Sequence, residues 1–311
     1  MSIIKPKFNL PHFDAAENVF FQRELEQILA EQFDVKYAGL KARQLLPVDN
    51  SIDPGAETIT YESFEQLGSA ARITDYSDDL PMVNVKGSQT SQRMQSYGAS
   101  FGYSIGEIRA AAKGNRPLER MRAMAARKVL DLKLDDVAAV GDTTAGLSGL
   151  LSLSNTESFT VSTKGGGGQT WAVATADEIL ADMNGMLRQV VVNSKEVERP
   201  TRLVLPTSQF ELINSKARST TSDTTILGFF LGNHPGVEVM SWERLAGAGA
   251  LGVDRMVAYD PNILNIRLLM AIEFEQLAPQ QRNMSYVVNC HMRTGGVISP
   301  YPKSVIYGDG I

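Results

Sequence analysis

Ser96-Tyr97-Gly98-Ala99-Ser100-Phe101-Gly102-Tyr103-Ser104-Ile105-Gly106 alternates without a break. Tyr97, Ala99, Phe101, Tyr103 and Ile105 fall on one face, and serines and glycines fall on the other. Side chains of a strand point alternately to its two faces, so a period of two predicts a strand. The small-residue face admits another backbone at close range. Upstream, Thr58-Ile59-Thr60-Tyr61 and Leu80-Pro81-Met82-Val83-Asn84-Val85 also read as strands. Together they predict a long β-hairpin excursion over residues 55–106. A two-stranded ribbon is marginal in water, so this one requires neighbours, such as other subunits could supply.

The longest helix is expected next. Asn115 can cap it, Pro117 suits its first turn, and Glu119 lies near its positive end. Leu118, Met121, Ala125, Val129 and Leu132 recur at steps of three and four, and the pattern stops at Gly141. At 1.5 Å per residue the rod is roughly 35 Å long. Its exposed positions are rich in base: Arg116, Arg120, Arg122, Arg127 and Lys128. That face suits weak, salt-sensitive contacts to packaged nucleic acid, or ion pairs to an adjacent subunit.

On the N-terminal side, Pro6 and Pro11 mark an extended arm. Asp14-Ala15-Ala16-Glu17 resembles a capping box, and Val19, Phe20, Ile28 and Leu29 follow at helical spacing. A short amphipathic helix over about 15–32 is expected, and it needs a partner surface. On the other side, Gly165-Gly166-Gly167-Gly168 reads as a flexible connector. Thr175-Ala176-Asp177-Glu178 is a clean capping box. It opens a helix to about 193, followed by a strand at Arg202–Pro206, helices near 207–214 and 224–231, and a strand at Val237–Met240. This alternation predicts a compact α/β lobe. Strands at 266–274, 284–292 and 304–307 close the chain and are expected to pair with earlier strands near the long helix. The result is an α+β protein of two lobes, the second inserted into the first.

Bulk composition agrees with a structured chain. Of 311 residues, 43% are hydrophobic and 21% charged, values ordinary for globular proteins. Thirty basic and 35 acidic side chains leave a net charge of −5, which argues against chain-wide DNA binding. Cys290 is the single cysteine, so an internal disulfide is impossible. No apolar run reaches the roughly 20 residues of a membrane span. No membrane association or export is expected.

Reactive chemistry is sparse. His12, His234 and His291 are far apart in sequence and match no metal-ligand spacing. Cys290 and His291 are adjacent, so in a strand they face opposite ways. The four glycines lack the Lys-Ser/Thr of a phosphate loop. Gly146-Leu147-Ser148-Gly149-Leu150 ends in leucine where a nucleophile elbow needs glycine. Asp131, Asp135, Asp136 and Asp142 could hold a divalent cation, or form a solvated face paired with Lys and Arg. No catalytic, cofactor-binding or metal-binding residue is assigned, and no cofactor is expected.

The order of pieces resembles the tailed-bacteriophage major capsid protein, the Hong Kong ninety-seven fold family. Gly141-Asp142 through Gly146-Leu147-Ser148-Gly149-Leu150-Leu151 is similar to the segment that follows that family's long helix. Arg202-Leu203-Val204-Leu205-Pro206 with Phe210-Glu211-Leu212-Ile213, Met270-Ala271-Ile272-Glu273-Phe274-Glu275 and Arg293-Thr294-Gly295-Gly296-Val297 resemble its later elements. The resemblance implies an N-arm (1–34), an extended segment and E-loop hairpin (35–110), and a spine helix with the first part of the P-domain (111–170). It implies an A-domain at 171–250 and P-domain strands at 251–311. Tyr97, Phe101 and Tyr103 would then be E-loop interface residues; glycine placement suggests flexible joints near Gly55 and Gly106 on which the hairpin tilts.

The implied function is structural. Copies of the chain form pentamers and hexamers of an icosahedral head around double-stranded DNA, assembled in the host cytoplasm and ending in the virion. Scaffolding, portal and decoration proteins are the other partners implied. No fused scaffold and no Lys–Asn crosslink are expected, although Lys86 sits in the hairpin. The rivals are an encapsulin-like nanocompartment shell, a cytoplasmic α/β enzyme, and another virion component.

Overall fold

The computed structural model describes residues 39–70, 72, 81–114, 118–221 and 223–311, the side chains of 65, 110–114 and 118–120 aside. The expected arm and its helix over 15–32 lie outside these residues, as do Asn115, Arg116 and Pro117. The body from Leu40 to Ile311 is one compact unit.

Two five-stranded sheets organise it. The first contains β1 (Val48–Asp49), β4 (Gln95–Ser104), β11 (Arg267–Gln276), β12 (Gln280–Arg282) and β13 (Ser285–Ile298). β13 is its centre, antiparallel to β11, β12 and β4. β4 pairs with β13 from Gln95↔Thr294 to Ser104↔Ser285. The strand expected at 96–106 is therefore real, and the final strands do pair with an earlier one. Its partner corrects the expectation, because β4 belongs to this sheet and not to the hairpin. The cause is burial: Tyr97, Ala99 and Phe101 pack on the core and Tyr103 is inside it, while the serines and glycines face solvent. Phe101 and Tyr103 meet edge to face at 5.6 Å. A ribbon in solvent would leave this aromatic row wet.

The hairpin itself is β2 (Thr58–Leu67) with β3 (Asn84–Arg93), in register from Thr58↔Arg93 to Leu67↔Asn84. Met94 is the single residue between β3 and β4. It is buried, and its N–H donates to the Glu57 carbonyl at 2.9 Å.

Helices follow β4 directly. Ile105 and Gly106, read as the end of a strand, begin α2 (Ile105–Gly114); α1 is the single turn Ala42–Leu45. Gly106 is thus no joint of the hairpin. The long helix is α3 (Leu118–Ala139), lying against β4 and β13. Its buried positions are Ala126, Leu130, Leu134, Val137, Ala138 and Ala139. The stripe named from the sequence is a different one: Met121, Ala125 and Val129 are exposed. Both sets satisfy helical spacing, and the sheet takes the one with the smaller side chains.

The second sheet runs β7 (Glu157–Thr160), β14 (Val305–Asp309), β10 (Arg255–Tyr259), β8 (Arg202–Leu205), β9 (Glu238–Ser241). Its outer pairs are parallel and its inner pairs antiparallel. α4 (Ala176–Asn193) packs against it, with α5 (Thr207–Ser215) and α6 (Ile226–Asn233) beside β8 and β9 in the chain. The helix–strand alternation read from 171–245 is present. Yet β10 and β14 come from beyond residue 250, so this sheet is not confined to that segment.

The sheet is buried on both faces. Val204, Val257, Tyr259, Val305 and Tyr307 join the cluster that holds α3 and β13. Their neighbours Leu203, Leu205, Met256, Ala258 and Ile306 join a second cluster with Ile179, Met183 and Phe230. Strands buried on both sides need continuous apolar runs, which is what Leu203–Leu205 and Met256–Tyr259 supply. The phenol of Tyr259 donates to the Leu45 carbonyl at 2.7 Å, and that of Tyr307 to Leu150 at 2.6 Å. Burial pushes the Tyr307 phenol up to about 12.

The glycines 165–168, read as a connector, form a hydrogen-bonded turn. Gly167 and Gly168 have φ of +80° and +110°, conformations glycine adopts at little cost. The Lys164 N–H donates to the Gly168 carbonyl at 2.7 Å, and that of Gly165 to Glu178 Oε1 at 2.7 Å. Glu178 also completes the expected capping box with Thr175. Those backbone donors, Thr175 first, hold its carboxyl below the usual range. Beneath the turn, Lys164 is ion-paired with Asp182, and both side chains are buried.

Candidate assembly surfaces

Among the described residues, the hairpin is anchored at its base. Ile59 and Tyr61 pack on Met94, Leu269 and Ile298. Beyond that point, Asn84 to Ser91 are exposed throughout. Hydroxyl pairs tie the strands together, Thr60 with Ser91 at 3.0 Å and Ser63 with Ser88 at 2.6 Å. Phe64 stands opposite Gly87, where a Cβ would meet its ring at 3.3 Å. Phe64 (66% exposed), Val85 (60%), Val83 (70%) and Met82 (92%) form an apolar set in solvent. Contiguous exposed apolar surface of this kind marks an interaction site. The sequence pointed to the hairpin but chose Tyr97, Phe101 and Tyr103 as its contact residues. All three serve this chain's own sheet and core. Tyr97 donates to Asp142 Oδ2 at 2.9 Å, and its phenol is raised by burial and by that carboxylate.

The basic residues of the long helix divide. Arg116 lies outside the described residues, and Arg120 sits in α3 with its side chain undescribed. Arg122 is an internal clamp: its guanidinium donates to the Gly102 carbonyl, meets Glu107 at 2.9 Å and lies 5.0 Å over the Tyr103 ring. It therefore joins α3 to α2 and β4. The Arg122 hydrogen bond is the main reason the Glu107 carboxyl falls from 4.5 to about 2. Arg127, with its side chain 61% exposed, reaches Asp131 at 3.9 Å and the Phe274 ring at 5.8 Å. Lys128 is half-buried.

The aspartates are ion-paired. Asp135 accepts the N–H groups of Lys41 and Ala42 at 3.1 and 3.0 Å and faces Arg244. Asp136 pairs with Arg244 and Lys133, Asp131 with Arg43 and Arg127, and Asp142 with Lys133. Among the described residues no group of three or more His, Cys, Asp or Glu is placed to hold a metal. Cys290 is buried while His291 reaches Glu275 at 3.4 Å. No helix among the described residues is long and apolar enough to cross a membrane.

What the sequence reading missed is the outer face of α3. Met121 (46% exposed), Met124 (62%) and Val129 (56%) line one side of a helix whose other side is core. Their spacing was the signal, assigned to the wrong face.

A ribbon apolar in solvent and a helix apolar on two sides define a subunit built to be covered by others. The same fold occurs in virus shells. The capsid of Myoviridae phage XM1 superposes with a TM-score of 0.80 at 18% identity, covering 93% of this chain and 98% of that one. The capsid of an empty GTA particle gives 0.68 at 10% identity, covering 96% and 99%. Mycobacterium phage Bobi gives 0.63 at 12% identity, covering 96% and 100%. No curated protein matches the sequence. The sequence profile of the major capsid protein family matches residues 68–311. The chain belongs to that family, the shell-forming structural proteins of tailed phages, and is a component of the virion.

Proposed function

We propose that copies of this chain close into the pentamers and hexamers of an icosahedral head that encloses double-stranded DNA. One observation carries the reading: the Thr58–Arg93 ribbon exposes Phe64, Val85 and Val83 while its base is fixed in the body. Such side chains recover their burial only on a neighbour, at about 25 cal/mol per Å² of apolar surface covered. Repetition by symmetry turns many modest contacts into a closed shell.

In the family's terms, residues 1–34 act as the N-arm and the ribbon within 35–110 as the E-loop. The helix within 111–170 is the spine, 171–250 the A-domain and 251–311 the closing P-domain strands. Assembly takes place in the host cytoplasm. Scaffolding, portal and decoration proteins are the further partners. Arg127 and Lys128, with Arg116 and Arg120, are the proposed contacts to a neighbouring subunit or to DNA; the Glu107 pair supports an internal role for Arg122. The shell is not an enzyme. Expression of the chain followed by negative-stain electron microscopy tests the reading. Closed particles of uniform diameter are expected, and a monodisperse monomer at high concentration overturns it.

A further inference from the structure

We infer that a knob at Glu196-Val197 of one copy seats in a basic cavity of a second copy, reciprocally about a two-fold axis. The inference deepens the assembly reading and rests on it. The cavity measures 570 Å³, within the roughly 300–1,000 Å³ of binding clefts. Leu187 and Val191 of α4, Pro200 before β8 and Val237 before β9 give it apolar walls. Arg188 and Arg199 line it too, and its lining contains no Asp or Glu. Among the described residues neither guanidinium has a hydrogen bond, ion pair or ring contact. Acids of the adjoining segments are engaged elsewhere. Glu238 meets Arg202 at 2.7 Å, Glu198 accepts from Asn265 at 2.7 Å, and Asp260 accepts from the Thr201 hydroxyl at 2.9 Å. A guanidinium is a planar fork that matches a carboxylate. Two such forks beside apolar walls call for a carboxylate next to an apolar side chain. A phosphate backbone would supply the charge and leave the walls uncovered.

The chain carries that pair of groups on its own surface. α4 ends at Asn193, and Lys195 and Glu196 follow with φ of +55° and +68°. Left-handed backbone is costly for residues with a Cβ. Here it is held by the Glu196 N–H on the Val191 carbonyl at 2.7 Å and the Lys195 N–H on that of Val192 at 3.1 Å. Strain enforced in this way is a feature of functional segments, and a turn already fixed has little freedom to lose on binding. Glu196 is exposed, and its carboxylate has no partner among the described residues. Val197 is 78% exposed, and Val192 in the last turn of α4 63%. Val197 does not fill its own chain's cavity, so a second copy must receive it. Arg199 follows Val197 by two residues, which sets knob and cavity side by side. Complementary patches so placed close on each other about a two-fold axis, each copy giving and receiving.

The test uses two singly substituted chains, Val197→Cys and Val237→Cys, co-expressed and oxidised. The native Cys290 is buried. A disulfide-linked dimer that appears only when both chains are present is expected on a non-reducing gel. Particles lacking that dimer overturn the inference. In a chain carrying both cysteines, a link confined within single chains also overturns it. Charge reversal is the second arm. Glu196→Arg and Arg199→Glu are each expected to lose closed particles while the dissociated subunit melts unchanged, and the chain carrying both is expected to regain them. Particles kept by both single variants, or not regained by the double one, count against the pairing. Lys195, exposed on the same turn, is the control: Lys195→Ala should leave particles intact, and their loss would count against the role of the carboxylate. Microscopy of the unsubstituted chain separates the two claims. If it makes no particles, the assembly reading fails, and the cysteine pair in solution still decides the docking.

Discussion

Replacing Asp182 by asparagine removes a charge from the interior with little change in volume. The Asp182 carboxylate accepts from Lys164 Nζ, from Trp171 Nε1 at 3.0 Å and from Ser162 Oγ at 3.4 Å. The Lys164 side chain is 0% exposed and that of Asp182 2%. Breaking a buried pair on one side leaves an uncompensated charge, which costs about 3–5 kcal/mol. Trp171 Nε1 keeps an acceptor only if the amide oxygen turns toward it, and losing that bond adds about 1–3 kcal/mol. Taking about 4 kcal/mol in all, a chain of this size melts some 10 °C lower at about 2–4 °C per kcal/mol. The double variant Lys164→Met, Asp182→Leu removes both charges and is expected near the parent, since apolar replacement of a whole buried pair is often neutral to stabilising by about 1–4 kcal/mol. Denaturant unfolding of the dissociated subunit, run as a double-mutant cycle, measures the coupling. A single-variant loss below about 1 kcal/mol, or a double variant as damaged as the single, would refute the reasoning.

Three further outcomes are expected. Phe64→Asp and Val85→Asp should abolish particles, read by sedimentation, while shifting subunit stability by no more than about 0.5 kcal/mol, because both residues are exposed. Glu107 is held down to about 2 from 4.5 by Arg122. A depressed carboxyl stabilises the fold above its unfolded value and loses that contribution as pH falls through the folded one. Parent and Glu107→Gln should therefore differ in melting temperature at neutral pH and converge between about pH 4.5 and 2; parallel curves throughout would remove the clamp. Gly296→Ala meets both a φ of +72° and a Cβ 2.5 Å from the Ser148 carbonyl oxygen. It should cost at least about 1–3 kcal/mol, seen as a lower denaturant midpoint.

Local signals were legible in the sequence wherever a few neighbouring residues settle the matter. The Thr175–Glu178 box, the apolar run at Leu203–Leu205 and the alternation at 96–104 each name their own element. Partnership was less legible. Alternation says that β4 is a strand, but nothing near residue 100 says that it pairs with Ser285–Thr294. The α3 stripe was misassigned because two opposite apolar rows share one period. Arg122 was read as facing nucleic acid or an adjacent subunit, since its partners Glu107 and Gly102 come close only through the fold. The inserted lobe looked separate because its helices and strands alternate regularly, while the strands that complete its sheet lie at 255–259 and 305–309.

The joint at Met94 has a mechanical meaning. β3 ends at Arg93 and β4 starts at Gln95, so the protruding ribbon and the central sheet are one taut length of chain. In the proposed shell, a pull on the ribbon by an adjoining copy would find no slack loop to absorb it. The force arrives at β4, passes through the Arg122 guanidinium, and reaches both helices behind it. In the proposed shell, this continuity would couple each subunit like a lever to the curvature of the wall around it.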